Sequence, residues 1–191
     1  TTHGQISTMS ESGYVFTPMM ESNITTVAGQ ELQRTITLQS ANIELTVAAM
    51  TVDHADGSFT QPMPPALMDT DGKFQSQFAG SLPPNGGVAG LAFEILPVTT
   101  IAAIRTAANL GAGDSLAAEV TATIKPFGEM GGGRVDGKPF KYAVTVCNDC
   151  IINDLGACPA TSTNVGNPCN PLQDGILDCC ESAGGLVCPA R

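Results

Sequence analysis

The chain has 191 residues, of which only 14% are charged, and its 18 acidic against 8 basic side chains give a formal net charge of −10. An acidic surface repels phosphate backbones, and no polybasic stretch is present for docking on anionic lipid. The composition therefore argues against nucleic-acid binding and against electrostatic membrane binding. The hydrophobic share of 42% is enough to bury a core.

The low charge, the abundance of threonine, serine and glycine, and the lack of tryptophan are typical of β-rich exported proteins. No signal peptide is visible at Thr1, which favours a mature or trimmed chain. The longest apolar region, 88–110, contains Glu94, Pro97 and Arg105 and so does not predict a membrane span. We expect an exported protein.

Residues 1–30 are polar with short apolar islands, which predicts an extended N-terminal arm with room for an edge strand. The next segment alternates apolar and polar residues, as expected for strands with one buried face. Its apolar positions are Ile36, Leu38, Ile43, Leu45 and Val47. The pair Asp56-Gly57 then predicts a turn before another short strand.

Proline- and glycine-rich connections at 61–67 and 81–90 interrupt the middle of the chain, and "LAFEIL" predicts a strand that Pro97 ends. The segment "TTIAAIRTAANLGAG" predicts one short helix, with a threonine as the N-cap and Gly111 as the stop. Its buried face is predicted to carry Ile101, Ile104 and Ala108.

After the helix, "SLAAEVTATIKPF" alternates again, "GEMGGGRVDGKP" predicts a long glycine-rich turn, and "FKYAVTVC" predicts the last clear strand. This pattern predicts an all-β fold, an antiparallel β-sandwich with one short helix and a C-terminal disulfide-rich, loop-dominated module. We expect three parts: the arm at 1–30, a sandwich-like domain at 31–146 and the cysteine-rich module at 147–191.

All the cysteines lie in that last module, at Cys147, Cys150, Cys158, Cys169, Cys179, Cys180 and Cys188. A zinc site would need a second C-x2-C pair or a later histidine, and neither is present. A thioredoxin-like redox pair would need a helix N-terminus inside a βαβ unit, and the acidic Asp149 disfavours it further. Metal and redox roles are therefore the weaker interpretations.

Disulfide staples explain the cysteines best, because so short a module rarely maintains a core without cross-links. Closing loops of ten to thirty residues stabilises by roughly 2–4 kcal/mol per bond, and the bonds require an oxidising compartment. We expect three bonds, with the adjacent Cys179 and Cys180 going to different partners. Seven is an odd number, so one cysteine is free, linked to another chain, or paired with a residue outside this sequence.

The segments "FKYAVTVCNDCIINDLGAC" and "NPCNPLQDGILDCC" and the closing "LVCP" resemble the C-terminal signature of uncharacterised myxobacterial-type (deltaproteobacterial) envelope lipoproteins. In that family a sandwich-like β region leads into a V-C-x2-C step, and a C-N-P-x-Q-D-G element precedes a C-C pair. The resemblance implies an exported protein whose lipidated cysteine lies upstream of the mature sequence. It implies no activity and no catalytic residues.

Other candidate sites are weaker. The start Thr1-Thr2-His3 suits Cu(II) or Ni(II) only if it is a free N-terminus. His54 has no G-x-S-x-G partner. Aspartates around two Asp-Gly turns lack the full pattern of a calcium loop; they are Asp53, Asp56, Asp69 and Asp71. We expect no catalytic residue, no metal and no cofactor.

We therefore expect a structural or adhesive protein of the cell surface or outer envelope, not an enzyme, as a subunit of an extracellular assembly. Its partners would be another protein or a second copy, with the membrane reached only through an upstream lipid anchor. The arm is a candidate to complete a neighbour's sheet, and the odd cysteine to link chains. The alternative is an envelope module that binds a metal ion or small ligand. An enzyme built on His54 beside a serine or carboxylate is the least favoured interpretation.

Overall fold

The computed structural model describes residues 3–67, 72–148, 150–159, 161 and 164–189. Fourteen strands and two helices lie in the described part of the chain, which confirms an all-β fold with a short helix. The strands are β1 (His3–Ser7), β2 (Tyr14–Phe16), β3 (Met19–Glu21), β4 (Ile36–Asp53), β5 (Phe59–Thr60), β6 (Lys73–Leu82), β7 (Val88–Gly90), β8 (Phe93–Leu96), β9 (Ser115–Met130), β10 (Gly133–Asp136), β11 (Phe140–Cys147), β12 (Ile152–Ala157), β13 (Leu177–Ser182) and β14 (Gly185–Val187). The helices are α1 (Glu31–Arg34), which the sequence pattern did not predict, and α2 (Val98–Ala108).

One seven-stranded sheet forms the centre of the molecule. Its order is β1-β11-β9-β4-β5, with β10 beside β9 and β6 beside β4. The long strands β4 and β9 lie next to each other in the middle of the sheet. Every pairing in this sheet is antiparallel except that of β1, which runs parallel to β11 along one edge.

Strand β4 keeps one face buried although its apolar alternation changes phase. The buried positions are Ile36, Leu38, Ile43, Leu45, Met50 and Val52. Register shifts between Leu38 and Ser40 and between Val47 and Ala49 each place one extra β4 residue opposite β9. Because a bulge inserts a single residue, the side chains after it return to the same face. The two bulges therefore explain why the structure has one continuous strand, β4, where the apolar alternation predicted several short strands.

The second layer is built from small elements that share one core with the sheet. Strand β2 pairs with β8, and β3 pairs with β7, so the arm and the 88–96 segment form a two-stranded ribbon. Helix α2 completes this layer through Thr100, Ile101, Ile104 and Ala108, which are buried. The predicted apolar face of the helix is thus confirmed.

The ends of α2 differ from the prediction. The helix begins at Val98 with Pro97 at the N-cap, and no side chain caps it. It ends at Ala108, because Asn109 takes a left-handed conformation with φ 49°. Asparagine tolerates this conformation, so the helix stops before Gly111 is reached. The threonine cap and the glycine stop were therefore wrong.

The glycine-rich segment after β9 is mostly strand. Strand β9 continues to Met130 and β10 returns at Gly133, so the predicted long turn shortens to Gly131 and Gly132. Both have positive φ angles, 58° and 80°, which glycine adopts without a Cβ clash.

The C-terminal module contains a three-stranded sheet of order β12-β13-β14. Disulfides join Cys147 to Cys150, Cys158 to Cys180 and Cys179 to Cys188, so the adjacent cysteines do have different partners. Cys169 is the free cysteine and is exposed. Three disulfides indicate an oxidising, exported compartment. Among the described residues, no helix is long and apolar enough to cross a membrane.

Candidate functional site

The C-terminal module seals the β1 edge of the central sheet. Ser7 N–H donates to the carbonyl oxygen of Leu172 at 3.0 Å, and Asp174 N–H donates to that of Gln5 at 3.0 Å. The Gln5 N–H donates in turn to Asp174 Oδ1 at 2.7 Å. Together with the isolated bridge between Ile6 and Gln173, these bonds attach residues 172–174 to the outer side of β1. The backbone groups of Gln5 and the N–H of Ser7 on this edge therefore have partners within the chain.

The side chain of Gln173 extends this pairing to the next strand of the arm. Its Oε1 accepts a hydrogen bond from Val15 N–H at 2.9 Å, and its Nε2 donates to the Val15 carbonyl at 2.6 Å. Asn170 adds a bond from Nδ2 to the Gly13 carbonyl at 3.2 Å. Gln173 and Asn170 are only 5% and 7% exposed, so their amides replace water as partners of the backbone.

Asp174 completes the contact by binding a buried tyrosine. The Tyr14 hydroxyl donates to Asp174 Oδ2, and it lies 3.1 Å from the hydroxyl of Tyr142. Burial and the bond to Asp174 raise the pKa of Tyr14 above its usual range, so the phenol stays protonated. Gly4 makes room for the ring, because a Cβ there would lie 2.0 Å from the hydroxyl oxygen. We call Asn170, Gln173, Asp174 and Tyr14 the clamp.

The clamp corrects the interpretation of the arm. The three strands of the arm pair with strands of the same chain: β1 with β11, β2 with β8 and β3 with β7. An arm that completes its own sheet gains nothing from a neighbour's, so the basis for arm donation falls away. The C-N-P-x-Q-D-G element is the part of the module that holds the arm in place.

The opposite edge of the sheet is open. Strand β6 pairs with β4 and with no other strand of the described structure. Its residues alternate between exposed and half-buried, and Phe74 and Phe78 on the inner side are half-buried. The Phe78 ring packs 4.6 Å from that of Phe93, centroid to centroid. One edge of the sheet is therefore sealed, and the other presents backbone to solvent.

A cleft of about 440 Å³ lies beside the clamp. Phe16 and Tyr142 form an aromatic wall, with ring centroids 4.4 Å apart. Asp174, Asn167 and the exposed Cys169 also line it. The cleft thus places aromatic rings, a carboxylate and the free thiol together, although they come from opposite ends of the chain.

His54 lies between a carboxylate and a hydroxyl. Its Nδ1 is 2.9 Å from Asp114 Oδ2, and its Nε2 is 3.0 Å from Thr60 Oγ1. The order carboxylate, imidazole, hydroxyl is that of an acyl-transfer relay. Asp114 also accepts the N–H groups of Gly111 and Ala55, which lowers its pKa and ties two loops together. His54 does not line the cleft described above, and Thr60 is exposed. The bonds of Asp114 hold the loop after β4 against the loop before β9.

The other candidates from the sequence do not assemble into a site. His3 lies exposed in β1, Asp53 ends β4, and Asp56 is held by the Ser58 hydroxyl at 2.6 Å. Thr1, Thr2, Asp69 and Asp71 lie outside the described residues. Within the described ranges, no three His, Cys, Asp or Glu side chains are placed to hold a metal ion.

Sequence reasoning did not identify Tyr14, Gln173 or Tyr142 as important. Two signals were available: Gln173 belongs to the C-N-P-x-Q-D-G element, and the chain has only two tyrosines, which prove to be neighbours. No protein-family model matches the chain, and no curated protein or solved structure is similar enough to it to count as a match.

Proposed function

We propose that this protein is a structural or adhesive component of the cell surface or outer envelope, and that it assembles through strand β6. The observation that carries the proposal is the contrast between the two edges of the sheet. The C-terminal module covers β1 with backbone hydrogen bonds, whereas β6 has β4 as its one partner among the described strands. An open edge adds a strand from another molecule through main-chain hydrogen bonds.

Strand β6 has two of the features that protect natural edges, a lysine at its start and a register shift after Gln77, but residues 74–77 between them carry neither charge nor proline. Such edges are usually short, or carry charges, prolines or bulges. The regular part of β6, Lys73 to Gln77, has one charged residue, Lys73, and no proline. A register shift follows between Gln77 and Gly80, so the acceptor segment is Lys73 to Gln77.

A second copy of the chain is the partner that fits this segment. The protein carries a net charge of −10, so most of its surface repels another copy. The segment itself contains no acidic residue, and Lys73 is already paired with Glu44 at 3.3 Å. Two antiparallel copies centred on Gln75 would place Lys73 opposite Gln77 and Phe74 opposite Ser76. Neither pair brings like charges together, and the added strand would cover the half-buried Phe74.

The experiment introduces an acid at the edge. Gln75→Glu places two carboxylates opposite each other in the proposed dimer, while Gln33→Glu makes the same charge change on the exposed face of α1. Sedimentation velocity over a range of concentrations should show a dimer that Gln75→Glu weakens about tenfold or more and Gln33→Glu leaves intact. A chain that stays monomeric at all concentrations, or two variants that behave alike, would contradict the proposal.

The same proposal places the protein outside the cytoplasm, on the envelope surface, and assigns it no catalytic activity. The disulfides support export, and the resemblance to envelope lipoproteins supports a place on the envelope surface. A lipid anchor upstream of Thr1 would hold the assembled sheets there. Labelling of intact cells with a reagent that does not cross membranes, followed by mass spectrometry, tests this location: a protein protected until the cells are lysed would be internal.

A further inference from the structure

We propose that the cleft between the ribbon and the C-terminal module binds an alkylammonium group. This goes beyond the proposed assembly function, because the cleft lies at the sealed edge of the sheet and β6 at the other. The argument rests on three features of the cleft: an aromatic wall, a carboxylate without a cationic partner, and a size that suits a small ligand.

The aromatic wall consists of Phe16 from β2 and Tyr142 from β11. Both rings are half-buried, and their centroids are 4.4 Å apart at an interplanar angle of 41°. The Phe140 ring supports Phe16 from a distance of 6.1 Å. Aromatic faces carry negative electrostatic potential and attract ammonium groups within about 6 Å of the ring centroid. The wall therefore favours a cation with apolar substituents.

The carboxylate of Asp174 supplies the charge. Its oxygens accept hydrogen bonds from the Gln5 N–H at 2.7 Å, the Tyr14 hydroxyl at 2.5 Å and the Gln173 amide at 3.2 Å. All three donors are neutral, so they fix the orientation of the carboxylate without cancelling its charge. None of the ion pairs found among the described residues includes Asp174. The group is held rigidly and remains available to a cation.

The volume and the remaining lining narrow the class of ligand. A cleft of about 440 Å³ falls within the range of small-molecule sites. Its lining contains no lysine or arginine, which disfavours anions. A bare metal ion is disfavoured as well, because a single carboxylate beside aromatic rings replaces little of its hydration shell. An alkylammonium group, whether on a small molecule or on a lysine side chain, uses both the wall and the carboxylate.

Tyrosine fluorescence can report the binding of a ligand in this cleft. Tyr14 and Tyr142 are its only tyrosines, tryptophan is absent, and both tyrosines line the cleft. Tyrosine fluorescence therefore comes from this place alone. The full chain should be titrated with choline and with N-acetyl-lysine methylamide. 3,3-Dimethylbutan-1-ol, the uncharged analogue of choline, serves as the control at constant ionic strength.

We expect a saturable change in tyrosine fluorescence with at least one of the two ammonium compounds and none with the neutral alcohol. The compound that binds more tightly identifies the source as a small molecule or a lysine side chain. Alkylation of Cys169, which lies in the same lining, should be slowed by the bound compound as an independent readout. A response to the neutral alcohol equal to that of choline, or no response to either ammonium compound, overturns the proposal.

Two variants separate the cleft from the rest of the surface. Asp174→Asn removes the charge and should weaken binding about tenfold. Because Asp174 also belongs to the clamp, a second variant avoids it: Thr17→Lys places a resident ammonium at an exposed position of the lining. Thr17→Lys should weaken binding to a similar extent, whereas Thr37→Lys, the same change on exposed β4, should not. Unaltered binding in a folded Thr17→Lys variant would contradict the assignment.

Discussion

The Tyr14 hydroxyl donates a 2.5 Å hydrogen bond to Asp174 Oδ2, which lies 160 residues further along the chain. Tyr14 is 2% exposed, and the other oxygen of Asp174 accepts the Gln5 N–H. The arm and the C-terminal module are thus joined through a buried tyrosine and an exposed carboxylate. The module boundary that the sequence predicts near Cys147 therefore lies between two parts of the chain that bind each other in the fold.

The first prediction concerns the amide of Gln173. Gln173→Ala leaves the Val15 N–H and carbonyl without their partner in a half-buried place. An unsatisfied buried backbone group costs about 1–3 kcal/mol, so we expect a loss of about 2–4 kcal/mol in the free energy of unfolding. Urea denaturation measures it, with Gln33→Ala on exposed α1 as a control that should stay within about 0.5 kcal/mol. Equal stabilities would show that the clamp contributes nothing.

The second prediction concerns the space beside Tyr14. In Gly4→Ala the new methyl group would lie 2.0 Å from the Tyr14 oxygen, so the ring must move and lose its bond to Asp174. We expect destabilisation by at least about 2 kcal/mol in thermal or urea unfolding. Gly184→Ala is the matched control, because the nearest atom there is 3.9 Å away. If both alanines are tolerated alike, the packing around Tyr14 is looser than described.

The third prediction concerns pH and the loop fastened by Asp114. The Gly111 N–H, His54 and the Ala55 N–H lower the pKa of Asp114 in the folded chain from its ordinary 3.8. A lowered folded-state pKa contributes stability that is complete above the ordinary value and lost as the pH falls through the folded-state pKa. The native protein should therefore lose stability below about pH 4 more steeply than Asp114→Asn.

Melting temperatures measured between pH 7 and pH 2 test this expectation. Asp53→Asn removes an exposed carboxylate outside the fastened loop and controls for the change in net charge. Parallel profiles for native protein and Asp114→Asn would mean that the carboxylate contacts do not favour its ionised form.

The fourth prediction concerns the free thiol. The unreduced native protein should take up one equivalent of a thiol reagent, on Cys169, and Cys169→Ser should take up none. Because Asp174 lines the same cleft, a trimethylammonium methanethiosulfonate should react faster than its sulfonate counterpart. Peptide mapping of the unreduced protein checks the pairing of the other six cysteines. Two or more reactive thiols would contradict the disulfide assignment.

The fifth prediction concerns the relay of Thr60, His54 and Asp114. If it fastens loops and does no chemistry, the native protein should hydrolyse p-nitrophenyl acetate no faster than Thr60→Val. The threonine variant keeps the size of the side chain and removes the hydroxyl that faces His54 Nε2. A rate well above that of the variant, or labelling of Thr60 by a fluorophosphonate, would instead favour a hydrolase.

Several features of the fold were predictable because they depend on local chemistry. Alternating apolar residues predicted β4, β9 and β11, and the spacing of Ile101, Ile104 and Ala108 predicted the buried face of α2. The density of cysteines predicted disulfides, because a short segment with little apolar periodicity needs cross-links to stay folded. These patterns act over a few residues and can be read from neighbours in the chain.

The ends of elements were less predictable, since they depend on single backbone conformations. Asn109 stops α2 through a left-handed φ, and the bulges of β4 at 38–40 and 47–49 join what the alternation divides into separate strands. Nothing in the residue types alone distinguishes a bulge from a strand end.

The clamp and the cleft could be identified only from the tertiary structure. The sequence by itself determined an all-β, disulfide-linked and acidic protein, because apolar alternation, cysteine content and net charge depend on which residues are present and in what local order. Which edge of the sheet is sealed depends on residues 172–174 reaching Gln5 and Ser7, and the cleft depends on Phe16, Tyr142 and Asp174 meeting from distant parts of the chain. Such contacts join residues more than a hundred positions apart, and no local pattern encodes their distance.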